Sequence, residues 1–336
     1  MTIEVENLSK TYGTTQAIES LNFRVETGQI LGLLGPNGAG KTTTMRILSG
    51  FLPATSGTAR IAGFDVHEQS MAVRQRIGYL PETPPLYPTM TVEGYLHFVA
   101  RIKGISAGDR SAKVTSAIQR CGLLDRRQSL ILKLSKGYRQ RVGIAQAIVH
   151  DPPAIVLDEP TVGLDPQQVV EVRKLIQSLA GDHTILLSSH ILPEVSATCS
   201  QVAIVNHGRI IATDRLDNLM TQLTRGGYEI EVGGEMGGIE AAVQAFLRNI
   251  PGVEAVEAIA VEDLPAGRYR FQVTVEPGSE PGGAIAHAIL ESQLNLLELR
   301  RTRASLEDVF LKLTTEDQPA SNSPESTEPA NAAIAL

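Results

Sequence analysis

The 336-residue sequence predicts an α/β fold with a mostly parallel β-sheet, followed by a small α+β domain. Over residues 1–220, short apolar runs alternate with helical patterns, as they do in a sheet covered by helices. Beyond the glycine pair of Arg225-Gly226-Gly227, the predicted order changes to β-α-β-β-α-β, the pattern of a ferredoxin-like domain. These observations predict a first domain at 1–220 and a second at 226–314.

The first domain is expected to contain four buried strands, Ile30–Leu34, Ile155–Leu157, Thr184–Ser188 and Val202–Asn206. Each is short, β-branched or leucine-rich, and apolar on both faces, which suits a parallel sheet. Between Thr83 and Lys133 the strand signal disappears and patterns such as Ala112–Cys121 are helical. We therefore expect a helical subdomain at about residues 83–150.

The second domain is expected to form strands and helices at Tyr228–Val232, Ile239–Ile250, Val253–Val261, Arg268–Val275, Ala284–Gln293 and Leu296–Arg300. An amphipathic helix is then predicted at Ser305–Leu313, because it begins with a capping-box pattern. The tail 315–336 is rich in Pro, Ser, Thr, Asn, Glu and Ala, so it lacks the apolar surface that offsets chain entropy. We expect the tail to be disordered.

The composition argues against some classes of protein. The net charge is −7, with 22 Lys and Arg against 19 Asp and Glu in residues 1–220, and 8 against 18 in residues 221–336. An acidic second part gives no support for nucleic-acid binding. Cys121 and Cys199 lack metal-ligand spacing, and neither a signal peptide nor a long apolar span is recognisable. A soluble protein is expected, which reaches any membrane through a partner.

The most specific motif is a glycine-rich loop that matches G-x-x-x-x-G-K-[ST] at every fixed position. The residues expected to hold phosphate are Gly35, Pro36, Asn37, Gly38, Ala39, Gly40, Lys41, Thr42 and Thr43. A strand precedes the loop and a helix follows it, which disfavours an incidental glycine-rich turn. Backbone N–H groups can surround phosphate oxygens, Lys41 can reach the β- and γ-phosphates, and Thr42 can ligate Mg²⁺. The motif predicts binding of a nucleoside triphosphate.

A second motif places two acids at the end of an apolar strand, Ala154-Ile155-Val156-Leu157-Asp158-Glu159. Asp158 is expected to hold Mg²⁺ beside the phosphates. Glu159 would then point at the γ-phosphate, where it can orient and deprotonate the attacking water. Alone, two acids at a strand end are equally compatible with an ordinary turn, and the glycine-rich loop makes the catalytic interpretation the stronger one.

With the glycine-rich loop and Asp158-Glu159 in this order, the chain resembles the ATP-binding-cassette (ABC) ATPases, whose fold is a P-loop NTPase with a helical subdomain. Leu134-Ser135-Lys136-Gly137-Tyr138 stands where that family has its signature sequence. Ser135 is expected to cap the following helix, whose N-terminus with a hydroxyl and free N–H groups forms an anion site. The resemblance implies that Ser135, Lys136 and Gly137 close on ATP held by a second copy, in a head-to-tail dimer around two ATP and Mg²⁺.

Three further residues follow in the family's order. The resemblance implies that Tyr12 stacks on adenine and that Asp165 belongs to a loop contacting the opposite subunit. It also implies that His190 hydrogen-bonds the γ-phosphate, although a lone histidine at a strand end is more often structural.

Two positions depart from the usual pattern. Lys136 and Tyr138 interrupt the signature, which keeps Ser135 and Gly137. Glu82 stands where the family has a glutamine that contacts Mg²⁺. A carboxylate can still ligate Mg²⁺, and it adds negative charge near the γ-phosphate.

With both departures and the closing segment Ser305-Leu306-Glu307-Asp308-Val309-Phe310, the chain resembles one subclass of single-cassette ATPases. Members of this subclass energise a separate integral membrane permease in multidrug, polysaccharide or gliding-motility-associated export. The resemblance implies a cytoplasmic subunit that is peripheral on the inner face of the plasma membrane. The apolar run Pro84–Tyr87 is a candidate permease contact, because an exposed apolar run needs a reason, or it is an ordinary proline-rich turn. The alternative is a soluble ABC ATPase acting on the ribosome or DNA, which the single cassette and acidic second domain disfavour. The second domain itself is expected to be structural or dimer-stabilising rather than ligand-binding.

Overall fold

The computed structural model describes residues 2–215, 218, 227–234, 239–259, 264–265, 267–276, 278–292 and 294–302. The helix predicted at Ser305–Leu313 and the tail 315–336 lie outside the described residues.

Within residues 2–215 the strands are β1 (Ile3–Tyr12), β2 (Thr15–Val25), β3 (Ile30–Leu34), β4 (Ser56–Ile61), β5 (Phe64–Asp65), β6 (Ile77–Leu80), β7 (Ala154–Asp158), β8 (Thr184–Ser189), β9 (Gln201–Asn206) and β10 (Arg209–Arg215). The helices of this stretch are α1 (Lys41–Leu48), α2 (Ser70–Arg76), α3 (Val92–Ile102), α4 (Ala107–Arg120), α5 (Lys136–Ile148), α6 (Pro166–Leu179) and α7 (Leu192–Thr198). Short 3₁₀ turns lie at Leu124–Arg126 and Ile131–Lys133.

A largely parallel sheet in the order β10-β9-β3-β8-β7-β6 forms the centre of the first domain. Strands β3, β7 and β8 are buried at every position, as their apolar sequences predict. Only β10 at one edge pairs antiparallel, with β9. Because parallel strands end on the same side, the residues that follow β3, β7 and β8 meet at one edge of the sheet.

A separate antiparallel sheet, β2-β1-β4-β5, was not predicted from the sequence, which indicated one mostly parallel sheet. Strands β1 and β2 are joined by only Gly13 and Thr14, and such a short connection allows antiparallel pairing alone. The buried side of this sheet packs Val5 and Leu21 with Leu33 of β3 and Met45 of α1 into one core. The antiparallel sheet thereby covers the helix that follows the glycine-rich loop.

The stretch between β6 and β7 is helical, as expected for residues 83–150. All of its residues are described, and they contain α3, α4 and α5 but no strand beyond an isolated bridge between Thr91 and Leu130. Leu96, Val114 and Ile144 of these helices pack in the same core as β3, β7 and β8. The helical stretch is therefore attached to the parallel sheet through a shared core, and the domain boundaries themselves stay predictions.

The second domain contains β11 (Gly227–Gly233), α8 (Ile239–Leu247), β12 (Val253–Ile259), β13 (Arg268–Val275), α9 (Gly282–Glu291) and β14 (Asn295–Thr302). This order of elements is the one that the sequence predicts. The antiparallel sheet has the order β12-β13-β11-β14. Ile230 and Phe271 of the sheet pack against Val243 of α8 and Ile285 of α9 to form a core of their own.

Candidate functional site

The glycine-rich loop connects β3 to α1, and two of its glycines are required by their surroundings. Gly40 has a φ of 103°, in the left-handed region, and precedes the first residue of α1. A Cβ on Gly35 would lie 2.2 Å from the carbonyl oxygen of Val205. Side chains at these positions would therefore strain the turn or push the loop away from β9.

Lys41 is held inside the loop that it terminates. Its Nζ donates to the carbonyl oxygens of Gly35 at 2.7 Å and Pro36 at 3.1 Å, and lies 3.5 Å from Oε1 of Glu159. Burial lowers the pKa of Lys41, and the carboxylates of Glu159, Asp158 and Glu82 partly offset that effect. The ammonium group is thus oriented by the loop and surrounded by acids.

Asp158, the last residue of β7, contacts both neighbouring elements. Its Oδ1 accepts hydrogen bonds from Thr42 Oγ1 at 3.3 Å and from Ser188 Oγ at 2.6 Å. Burial raises the pKa of Asp158, although the hydrogen bonds from Ser188 and Thr42 act in the opposite direction. The carboxylate is therefore buried but fixed against the first turn of α1.

Ser188 is a site residue that the sequence did not single out. It lies directly opposite Asp158 in the parallel register of β7 and β8. Its hydroxyl donates to Asp158, and its oxygen accepts from the backbone N–H of Glu159 at 2.9 Å. The only signal in the sequence is a serine at the end of an apolar strand, and its partner depends on the strand order.

Glu159 is buried and has an unusual backbone conformation. Its φ of 47° lies in the left-handed region, which is uncommon for a residue other than glycine. Oε2 lies 3.0 Å from Nδ1 of His190, and Oε1 faces Lys41. The strained turn therefore places one carboxylate between a lysine and a histidine.

These side chains surround a cavity of about 250 Å³. Its wall consists of Ala17, Asn37, Gly38, Ala39, Gly40, Lys41, Thr42, Thr43, Glu82, Glu159, Val162 and His190. Most of the predicted phosphate-binding residues, both predicted catalytic residues and Glu82 thus share one cavity. Gly35 and Pro36 contribute through their contacts with Lys41, and Asp158 through its contact with Thr42. A larger cavity of about 550 Å³ lies beside Gly50 and Arg74 and contains none of these residues.

The remaining predicted site residues do not line this cavity. Tyr12 is 44% exposed at the end of β1, and the Lys10 ammonium lies 5.3 Å from its ring centroid. One face of the ring is therefore covered by a cation, and much of the side chain is open to solvent.

The signature residues lie at the N-terminus of α5. Ser135 caps this helix, since its Oγ accepts from the backbone N–H of Tyr138 at 3.3 Å. Gly137 is buried beneath the side chain of Gln168. The ammonium of Lys136 lies directly against Gly163, where a Cβ would clash with it. Asp165 caps α6, accepting from Gln168 N at 2.9 Å. Ser135, Lys136 and Asp165, which together are called the signature surface, are exposed, whereas Gly137 is buried.

Comparison with known proteins agrees with this geometry. Residues 18–162 match the family model described as ABC transporter. The linearmycin resistance ATP-binding protein LnrL of Bacillus subtilis is 32% identical over 316 residues, which cover 93% of this chain and 98% of that protein. The bacitracin transport ATP-binding protein BcrA of Bacillus licheniformis is 33% identical, with 93% and 96% covered. The Nod factor export ATP-binding protein I of Paraburkholderia xenovorans is 34% identical, also with 93% and 96% covered.

Solved structures show the same fold. The ATP-binding subunit of an ABC transporter has a TM-score of 0.61 at 31% identity, covering 66% of this chain and 93% of that one. A dimeric ATP-binding cassette in a post-hydrolysis state with ADP and Pi has a TM-score of 0.59 at 22% identity, covering 64% and 98%.

The chain is similar to such subunits over nearly its whole length, and its glycine-rich loop lines a cavity together with Glu159 and His190; this combination defines an ATPase of the cassette class. The chain belongs to the ATP-binding subunits of ABC transporters, which bind and hydrolyse ATP. Within the described residues, no helix has the length and apolar character needed to cross a bilayer.

Proposed function

We propose that the chain forms a head-to-tail dimer around two ATP and Mg²⁺ and drives a separate membrane permease for export. The observation that carries the catalytic part of this proposal is the position of Glu159, whose carboxylate lies between Lys41 and His190 on the wall of the cavity. A buried carboxylate that reaches a phosphate-binding lysine and a histidine is placed to act on water beside the γ-phosphate.

Each cavity residue has a role in this proposal. Lys41 and the backbone N–H groups of the glycine-rich loop bind the phosphates. Glu159 orients the attacking water and takes its proton, and His190 hydrogen-bonds the γ-phosphate while its contact with Glu159 orients the carboxylate. Tyr12, half-exposed at the end of β1, stacks on adenine.

The oxygen donors near the loop fit Mg²⁺. Thr42 and Asp158 bring a hydroxyl and a carboxylate to within 3.3 Å of each other, and Mg²⁺ prefers such oxygen ligands. Glu82 lines the same cavity and is a further carboxylate within reach of its contents. When bound, Mg²⁺ neutralises charge that develops on the phosphates. Thr42 and Asp158 would hold the ion, and Glu82 is the third candidate ligand.

The dimer is proposed because the signature surface lies off the cavity wall. Ser135, Lys136 and Gly137 present the N-terminus of α5, and Asp165 lies beside them at the start of α6. A helix N-terminus favours anions, so this surface suits the γ-phosphate held by a second copy. The second copy would receive the same contribution in return, which gives a symmetric pair of sites.

The permease contact is proposed at Pro84–Tyr87. Tyr87 is 49% exposed, and its ring packs on Tyr95 and Phe98 of α3 with centroids 5.9 and 5.4 Å away. This aromatic surface follows Glu82 by a few residues, so a partner bound here is close to the ATP cavity. Export is proposed because relatives are named for Nod factor export and for resistance to or transport of antibiotics. The permease would hold the subunit at the cytoplasmic face of the inner membrane.

Site-directed crosslinking tests the permease contact. A photoreactive residue at position 87 should crosslink to the co-expressed permease, and the same probe at Leu290, which is 63% exposed in the second domain, should not. Permease crosslinks from position 290 alone would overturn the assignment of Pro84–Tyr87.

The catalytic assignment is tested by Glu159→Gln. We expect turnover to fall by at least about 100-fold, because the amide cannot take a proton, while ATP binding remains. Glu68→Gln, an exposed glutamate off the cavity, is the matched control and should keep wild-type turnover. Undiminished hydrolysis by Glu159→Gln would exclude Glu159 as the general base.

A further inference from the structure

Two segments of the chain carry the proposed catalytic residues, one after β7 with Glu159 and one after β8 with His190. Their first contact is the 3.0 Å approach of Glu159 Oε2 to His190 Nδ1. A second contact lies deeper, where the hydroxyl of Thr161 donates to Oε2 of Glu194. The two segments are thus joined twice, and neither Thr161 nor Glu194 lines the ATP cavity.

The second contact is well protected. Thr161 is only 8% exposed. Thr161 and the partly buried Glu194 line a small space together with Arg173 of α6. Hydrogen bonds to a charged group in such surroundings contribute more than neutral ones at the surface.

Glu194 is itself held firmly. It lies in the first turn of α7, where its backbone N–H donates to Ile191 O at 3.2 Å. Its carbonyl oxygen accepts from Thr198 Oγ1 at 2.6 Å, and the neighbouring Val195 is completely buried. The carboxylate therefore extends from a fixed backbone toward the loop after Glu159.

That loop needs support from outside. The left-handed φ of 47° at Glu159 costs free energy that the surrounding structure has to offset. Ser188 fixes the backbone N–H of Glu159 at 2.9 Å, on the β7 side of the turn. Thr161 lies two residues further along, and the turn between them is closed by Val162 N donating to Glu159 O at 3.2 Å.

We infer that Glu194 is a positioning residue for ATP hydrolysis, which acts by holding Thr161 and thereby the turn that carries Glu159. The inference rests on the proposed role of Glu159 as general base. Loss of the tether shifts the carboxylate relative to His190 and the attacking water, so the chemical step slows while ATP binding is kept. An error in position near 1 Å at a reacting group can cost up to about 100-fold in rate.

A double-mutant cycle tests the inference. Thr161→Val and Glu194→Ala should each lower kcat by about tenfold, with KM for ATP within about twofold, since one charged hydrogen bond is lost. The double variant should be no slower than Glu194→Ala, because both substitutions remove the same contact. Glu194→Gln, whose amide oxygen still accepts from Thr161, should restore kcat to within about threefold of wild type. Thr161→Val conserves shape, so it carries the test even where Glu194→Ala fails to fold.

Wild-type kcat in Thr161→Val would overturn the inference. So would single effects that multiply in the double variant, or a Glu194→Gln variant as slow as Glu194→Ala. Glu159→Gln measured in parallel distinguishes failure of the proposed general base from failure of the inferred role of Glu194. If that variant hydrolyses ATP normally, the proposed general base is wrong, whereas loss of turnover there with normal kcat in Thr161→Val contradicts the tether alone.

Discussion

The ammonium of Lys41 lies 3.5 Å from the carboxylate of Glu159, and both side chains are at least nine-tenths buried. The lysine comes from the loop after β3 and the glutamate from the turn after β7, so the contact joins the proposed phosphate-binding and water-activating groups directly. A phosphate that reaches Lys41 therefore approaches Glu159 as well, which places the proposed base beside the bond to be broken.

Replacement of Lys41 should weaken ATP binding. Lys41→Met removes the ammonium that the carbonyl oxygens of Gly35 and Pro36 orient, and we expect affinity to fall about 10- to 100-fold from the lost charged hydrogen bonds. Titration with a fluorescent ATP analogue measures the effect. Lys133→Met alters an exposed lysine off the cavity and should bind as wild type does. Equal affinities for the two variants would contradict the role of Lys41.

Ser188→Ala should lower turnover about tenfold while ATP affinity stays within about twofold of wild type. The substitution removes the 2.6 Å hydrogen bond to Asp158, which keeps only its longer one from Thr42, and it leaves the buried N–H of Glu159 without its 2.9 Å acceptor. Steady-state ATPase assays give kcat and KM separately. Ser196→Ala, which removes a hydroxyl bonded only within α7, is the control. Unchanged kcat in Ser188→Ala would show that this support is dispensable.

Ser188 also illustrates what the sequence can predict. The glycine-rich loop and Asp158-Glu159 were recognisable because each motif is contiguous and its chemistry depends on neighbouring residues. Ser188 supports Asp158 only because β8 pairs with β7 in one register, and that pairing is a property of the assembled sheet. The contact between Thr161 and Glu194 joins residues 33 apart in the sequence, so it too could be found only in the assembled fold. The antiparallel sheet was missed because Gly13 and Thr14, which connect its first two strands, are a weak hairpin signal. The buried strands of the parallel sheet, in contrast, are marked by apolar runs.

Glu82→Gln should bind ATP more tightly in the absence of Mg²⁺. Glu82 lines the cavity and adds negative charge beside Lys41 and Asp158. Removal of this negative charge from the cavity that binds the phosphates is expected to favour ATP binding by about 1 kcal/mol, or about fivefold, at low ionic strength. The gain should shrink at high salt because the side chain is exposed. Binding measured with EDTA at two salt concentrations checks this, and unchanged or weaker affinity would contradict it.

Lys103 should make stability depend on pH. Its Nζ donates to Arg74 O at 2.7 Å and Ile77 O at 3.0 Å, and burial lowers the pKa of Lys103 to about 8 from its ordinary 10.5. Between these two values the unfolded chain binds more protons than the folded one, so the free energy of unfolding rises with pH. From pH 7.5 to 9.5 wild type should gain about 1–2 kcal/mol more than Lys103→Met. Urea unfolding at both pH values measures the difference, and parallel pH dependences would contradict it.

We propose above that two copies of the chain share their ATP sites, with Ser135 of one copy closing on the loop of the other. The most direct test of this proposal is the mass of Glu159→Gln in solution with ATP and Mg²⁺, measured by light scattering after size exclusion. We expect a dimer with ATP, a monomer without nucleotide, and a monomer with ATP when Ser135→Arg is added to block the signature surface. A Glu159→Gln variant that binds ATP and stays monomeric, or a dimer that persists with Ser135→Arg, would contradict the shared site.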